Sequence, residues 1–332
     1  MTSLTESRPA RRAGGRGGGA WHVRVRGGSA GRPDGARRSR SGRGPGHGLP
    51  VTPWLFLVVP LGLLVLFTYV PVANMVWYGF TSWDGLDPVK EPVGLDNYAR
   101  IFTDPRMFEV FFVSLYYLAG AAVQLVLALY FATILSFTTW FRNVFKGVIF
   151  FPYLINGVAI GLVFLFFLRP GGTLDAMLGL LGVAEPPQWL GDPSLVNVSL
   201  AATSVWRYLG LNFVLFLGAI QSIPGELYEA ADLDGATSWQ KFRYVIAPAI
   251  RPIIGLTTIL AISGSLSVFE IPWIMTGGAN GSTTFVIQTV QQAFQFNKFG
   301  LASAMAVVLL LVVLLVTWIQ RRLFPDERVD LT

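Results

Sequence analysis

The chain has no cysteine and only two histidines, His22 and His47, both within its first 50 residues. Disulfides and thiolate metal sites are therefore excluded. Histidine-dependent metal binding, general-base catalysis and Ser-His chemistry are excluded from residue 51 onward. Charge is scarce: Asp, Glu, Lys and Arg make up 13% of the residues, against ~25% in an average soluble domain. No G-x-x-x-x-G-K-[ST] segment occurs, so the chain does not bind ATP through a phosphate loop.

Apolar side chains fill the space that charge leaves. They account for 53% of the 332 residues, and mean hydropathy is +0.54. Six stretches reach or approach the ~20 apolar residues of a spanning helix: about 54–80, 110–136, 148–168, 198–220, 253–275 and 300–319. Pro60, Pro71, Pro152 and Pro272 lie in or beside them, which membrane helices tolerate when neighbours satisfy the freed backbone groups. The repeated ten-residue alternation of a membrane β-barrel is absent. These features predict an all-α integral membrane protein with six transmembrane helices.

The first 50 residues have another composition. They hold eleven Arg and two acids, a net +9, where the remainder sums to −3. Such a segment buries too little apolar surface to fold and is expected to be a disordered, solvated Arg/Gly-rich tail. Arg16-Gly17-Gly18 and Arg26-Gly27-Gly28 also fit contact with RNA or anionic lipid, although no nucleic-acid partner is expected. An even number of spans puts both termini on one side. If that side is the cytoplasm, it carries the tail's eleven Arg and eight further Lys/Arg, against five opposite, which agrees with the positive-inside rule. Residues 51–325 then form the membrane domain and 326–332 a cytoplasmic C-terminal tail.

Between the fourth and fifth spans lies a polar, helix-prone segment, 223–252. Pro224 suits the first turn of a helix, which would carry Leu227, Ala230 and Ala231 on one face and end at Gly235 as a left-handed C′ residue. Thr237 and Gln240 have the spacing of a capping box opening a second short helix, which Pro248 should terminate. Glu226, Glu229, Asp232 and Asp234 give this hairpin an acidic side.

On Glu229, Ala230, Ala231, Gly235 and Pro248 the segment resembles the E-A-A-x-x-x-G loop of binding-protein-dependent ABC importer membrane subunits, in the carbohydrate-uptake subfamily of maltose and glycerol-phosphate type. Met275-Thr276-Gly277-Gly278-Ala279, residues 293–300 and Gln320-Arg321-Arg322 extend the resemblance, which spans roughly 54–324. Val245-Ile246-Ala247-Pro248 departs from the family's usual Ile-x-Leu-Pro, which predicts looser apolar packing of the second helix. The resemblance implies a type I permease fold with Glu229, Ala230, Ala231, Asp234, Gly235 and Pro248 in an ATPase-coupling loop. It further implies a second homologous permease, a cytosolic ABC ATPase dimer that binds the ATP, an extracytoplasmic solute-binding protein and a sugar-type solute. No cofactor of the chain's own is expected. The alternative for the hairpin is a surface connection with no coupling role.

Polar groups within spans are costly and are candidates for function. Arg207 lies midway along the fourth span, beside Trp206 and Tyr208 and near Asn212; Glu270 lies in the fifth, after Ser263, Ser265 and Ser267; Asn156 lies in the third. A guanidinium with neighbouring rings suits a hydroxylated or anionic solute. By placement relative to Glu229, the resemblance puts Arg207, Tyr208, Leu211 and Ser265 in the zone of the maltose-type sugar site. An ion pair between Arg207 and Glu270, or with a partner subunit, is the competing role. Two other classes stay open at this point. An ion- or proton-coupled carrier would favour inverted repeats with broken helices, and no internal repeat is visible. An intramembrane enzyme would need an activator for Ser263, and no membrane His or Cys supplies one.

Overall fold

A computed structural model of the chain describes residues 51–137 and 142–323; the expected N-terminal and C-terminal tails lie outside them. The described residues are helical, in chain order: α1 (Val51–Leu64), a π turn (Val65–Tyr69), α2 (Val70–Tyr78), α3 (Asp96–Thr103), α4 (Pro105–Phe108), α5 (Val110–Phe137), α6 (Arg142–Leu154), α7 (Gly157–Leu168), α8 (Thr173–Leu180), α9 (Val196–Gln221), α10 (Gly225–Leu233), α11 (Ser238–Lys241), a second π turn (Phe242–Ile246), α12 (Ala247–Ala249), α13 (Arg251–Leu266), α14 (Glu270–Thr276), α15 (Phe285–Phe294) and α16 (Phe299–Leu323). Six segments are long and apolar enough to cross a bilayer: Phe56–Tyr78, Pro105–Phe137, Gly157–Leu180, Val196–Gln221, Arg251–Thr276 and Phe299–Arg322.

Two of the six expected spans are not continuous helices. The stretch expected over 148–168 is cut at Ile155–Asn156. Asn156 adopts φ −56°, ψ 137°, and its side chain accepts a 2.8 Å hydrogen bond from the Val158 N–H, so it is the N-cap of a new helix. The stretch over 253–275 is cut between Leu266 and Glu270, where Phe269 takes φ −140°, ψ −55°. Hydropathy alone cannot see either cut, because the residues at the break remain mostly apolar.

Both π turns have one cause. The Val70 N–H bonds the Val65 carbonyl and the Ala247 N–H bonds the Phe242 carbonyl, each five residues back, and each is followed directly by a proline, Pro71 or Pro248. A proline ring clashes with the carbonyl four residues before it, and a wider turn relieves the clash. Pro248 therefore does not terminate the second helix of the hairpin. The chain stays helical through it to Ala249, and the turn comes at Ile250, ahead of Pro252.

Helix association within lipid gains little from apolar burial as such and depends on close fit. The main contact joins α5 to α9. A Cβ on Gly120 would press on the Val205 side chain at 3.2 Å, and one on Gly210 would fall 2.7 Å from Phe150 Cα, a backbone clash that only glycine avoids. At one end of α9, Phe213, Phe216 and Ile220 pack with Ala128, Ala132, Ile246 and Ile250. Ile246 and Ile250 are 0% and 1% exposed and anchor the second part of the hairpin, while Val245 and Ala247, where the chain departs from the family pattern, are half-buried. At the other end, Val196 and Leu200 pack with Tyr117, Leu168, Ile271 and Met275. A third cluster joins Ile101, Met107 and Phe285 to Leu301, Ala304 and Met305 of α16. The Met275–Ala279 motif leads into a tight loop stitched to its surroundings: Asn197 and Asn280 donate to the Gly281 and Leu190 carbonyls at 3.0 and 2.9 Å, and Thr284 donates to the Val268 carbonyl at 2.9 Å.

Candidate functional site: a capped hairpin and a mid-membrane ion pair

The hairpin is built from local signals. Pro224 is the N-cap of α10 with φ −55°, ψ 134°. Gly235, at φ +73°, takes the left-handed C′ position. Its N–H donates to the Asp232 carbonyl at 3.1 Å and the Ala236 N–H donates to the Ala231 carbonyl at 2.9 Å, the paired bonds of a Schellman cap. Thr237 and Gln240 complete the capping box reciprocally, at 2.7 and 3.4 Å. Asp232 and Lys241 form an ion pair that ties α10 to α11. Tyr228 anchors the hairpin with its ring edge-on to Phe137 at 5.4 Å; burial raises its phenol above the ordinary pKa. Outward, Glu229, Ala230, Asp234 and Gly235 are exposed, Ala231 is half-buried, and Pro248 is exposed. Leu233, Trp239 and Tyr244 stand 90%, 65% and 69% exposed. This places exposed apolar surface beside four acidic groups.

The second place lies midway along α9. Arg207 Nη1 is 2.7 Å from Glu270 Oε2, joining α9 to the first residue of α14. The Arg207 side chain is 12% exposed and that of Glu270 40%. The Tyr208 ring lies 5.0 Å from the guanidinium, Tyr153 lies 6.2 Å beyond Tyr208, and Trp206 packs on Phe164 at 5.1 Å. Gly157, the first residue of α7, completes the junction: a Cβ there would overlap both the Glu270 carboxylate and the Arg207 guanidinium. The pair therefore forms where both helix breaks meet α9. Close packing of α7 on α14 holds them together, since a Cβ on Gly161 would fall 2.8 Å from Ile274.

Residues 124–329 match the family of binding-protein-dependent transport system inner membrane components. The chain belongs to this family. It is 33% identical to the probable ABC transporter permease protein YurN of Bacillus subtilis over 84% of this chain and 97% of that protein. It is 31% identical to the multiple sugar-binding transport system permease protein MsmF of Streptococcus mutans, over 81% and 94%. The fold matches a crystal structure of a bacterial ABC transporter involved in the import of the acidic polysaccharide alginate, with TM-score 0.70 and 21% identity over 82% of this chain and 95% of that one. This permease is thus a multi-pass inner-membrane transport subunit with the ABC importer permease fold, not an enzyme. The carrier and intramembrane-enzyme alternatives fall away.

Within the permease, the candidate residues do not converge on one site. Arg207, Tyr208 and Glu270 come together, with Asn156 beside them as a helix cap. Asn212 is 7% exposed within the α9 packing, and Leu211 is half-buried. Ser265 donates to the Ala261 carbonyl at 2.8 Å and lines a separate apolar cavity of about 220 Å³ with Ser114, Phe111 and Ile262. Gly157 and Tyr153 were not singled out from the sequence. The Asn-Gly dipeptide four residues after Pro152 was the available signal, since it can open a new helix inside an apolar run.

Proposed function

We propose that this permease is one of two homologous membrane subunits of an ATP-powered importer for a sugar or related carbon source. A solute-binding protein delivers the solute from outside, and a cytosolic ABC ATPase dimer, which binds the ATP, docks on the 223–252 hairpin. Both termini then lie in the cytoplasm. The hairpin geometry carries the coupling role: two short helices, each end-capped and joined by an ion pair, present Leu233, Trp239 and Tyr244 outward. A unit of this kind transmits a push from the ATPase into α9 and α13 without deforming. Closing the ATPase dimer moves the hairpin, and the cavity between the two permeases turns outward; the sugar-named relative MsmF supports the solute class. Arg207, Tyr208 and Glu270 are the residues we place on the solute path, with Asn156 and Gly157 positioning them.

The coupling role is tested by Glu229→Lys and by Gly235→Val. Both variants should insert and assemble normally but lose solute-stimulated ATP hydrolysis and uptake in reconstituted vesicles. Normal uptake by both would remove the hairpin from the coupling path.

A further inference from the structure

The connection between α7 and α9 carries an apolar element of its own. Residues 176–184 include no charged or polar side chain. Met177, Leu180 and Leu181 share one side of α8 at i, i+3, i+4 spacing and stand 54%, 88% and 80% exposed. The same stripe begins at Leu174, which packs against the cluster of Leu168, Leu190 and Val196. The first turn of α8 is therefore seated on the bundle at the end of α7, and its last turn projects past it.

This projection is held in shape at both ends. Asp175 accepts from the Gly171 N–H at 2.8 Å and from Trp189 Nε1 at 3.0 Å, tying the first turn to both flanks of the loop. Gly182 sits at φ +86°. Its N–H donates to the Gly179 carbonyl at 3.1 Å and the Val183 N–H donates to the Leu178 carbonyl at 3.0 Å, which closes the last turn as a Schellman cap.

Position decides what covers the leucines. Arg169 follows α7 directly, with its guanidinium 4.8 Å from the Phe166 ring; a cation ending a span lays its stem along apolar surface and its head toward water. α8 starts four residues later, at Thr173, so the stripe leaves the bundle at the level of the bilayer surface. The 26 residues of α9 separate this connection from the hairpin, which puts it at the opposite membrane face. A surface that docks and releases a protein is about as apolar as the rest of the exterior. On the hairpin, Leu233 is 90% exposed but stands among four acids; the 176–184 stretch has none.

We infer that α8 is an interfacial anchor for the lipid surface. Met177, Leu180 and Leu181 enter the acyl chains at the headgroup boundary, and the side carrying Ala176 and Gly179 faces water. The anchor ties the α7–α9 connection to the bilayer whichever solute the permease carries.

The test uses Leu180→Cys in this chain, which has no other cysteine, within the complete importer in phosphatidylcholine vesicles, its partner subunits freed of cysteine. The thiol carries a nitrobenzoxadiazole fluorophore, and quenching is referred to the same label on Asp87→Cys, an exposed position in the loop after α2. Quenching by aqueous iodide should be lower than at Asp87→Cys by at least about threefold, and quenching by phospholipid with a nitroxide near the top of its acyl chain higher by a similar factor, for a depth of ~5–10 Å. Adding Leu181→Glu should cut the nitroxide quenching to about half or less, because a carboxylate is costly in the acyl region. Leu181→Cys should repeat the Leu180→Cys pattern, so that poor assembly of one variant leaves the other to decide. Iodide access equal to that at Asp87→Cys overturns the anchor by leaving the leucines in water. Shielding from both quenchers overturns it by giving them a protein partner instead, and neither result touches the coupling test on the hairpin.

Discussion

The hairpin at 223–252 and the junction at Arg207 are stabilised over opposite ranges. The caps and the ion pair that shape the hairpin's two short helices span nine residues or fewer, from the Thr237–Gln240 capping box to the Asp232–Lys241 pair, and longer-range contacts such as Tyr228 on Phe137 only seat it on the bundle. The pair at the junction links residues 63 apart and depends on two helix breaks and a missing side chain at Gly157. A coupling element must keep its shape while it moves, so local caps suit it. A mid-membrane site must form only when the whole bundle is assembled, and long-range contacts tie it to that state. Damage should accordingly spread from the junction and stay confined in the hairpin.

The largest expected effect tests that contrast at Arg207. Arg207→Leu strands the Glu270 carboxylate; removing one member of a buried pair costs about 3–5 kcal/mol, and partial exposure of Glu270 reduces this to about 2 kcal/mol by solvent screening. Yield of the assembled complex should fall, and Arg207→Leu with Glu270→Gln should restore it. Full assembly of the single variant, measured by co-purification of the partner subunits, would deny the pair a structural role. Gly157→Val should have a comparable but distinct effect, because it separates the charges without removing either. It should depress assembly, and no change at Glu270 should fully rescue it.

Smaller, confined effects belong to the hairpin. Thr237→Ala removes an N-cap worth about 1 kcal/mol and should reduce ATPase stimulation while leaving assembly and thermal stability of the membrane domain within error. A drop in the melting temperature of the assembled complex would show that the hairpin is not locally stabilised. The smallest expected effect is at the N-terminus. Deleting residues 1–48 should alter expression or lipid association only, and a loss of uptake per inserted complex would give those residues a function.

What the sequence revealed follows the same division. The start at Pro224, the left-handed Gly235 and the Thr237–Gln240 box were all legible, because each is a property of a few adjacent residues. The six apolar segments were legible from length and composition. The breaks at Asn156 and near Phe269 were not, since a span of mixed helix and turn has the same hydropathy as an unbroken one. Pro248 was misjudged as a terminator because a π turn leaves no compositional trace. Arg207 and Glu270 could be named as candidates, yet only the assembled bundle shows that they meet each other and that Gly157 makes room for them.

The π turn at Phe242–Ile246 has a further consequence for how this segment tolerates changes in length. It holds one residue more than an α-helical turn, which amounts to a rotation of about 100° and a rise of about 1.5 Å. It is in effect a single-residue insertion already absorbed, with Ile246 and Ile250 still seated against α9. Removing one residue between Phe242 and Val245, together with Pro248→Ala, should convert the bulge to ordinary helix and leave α13 in place. The same deletion within α9 has no such reserve, and would turn every downstream contact away from its partner.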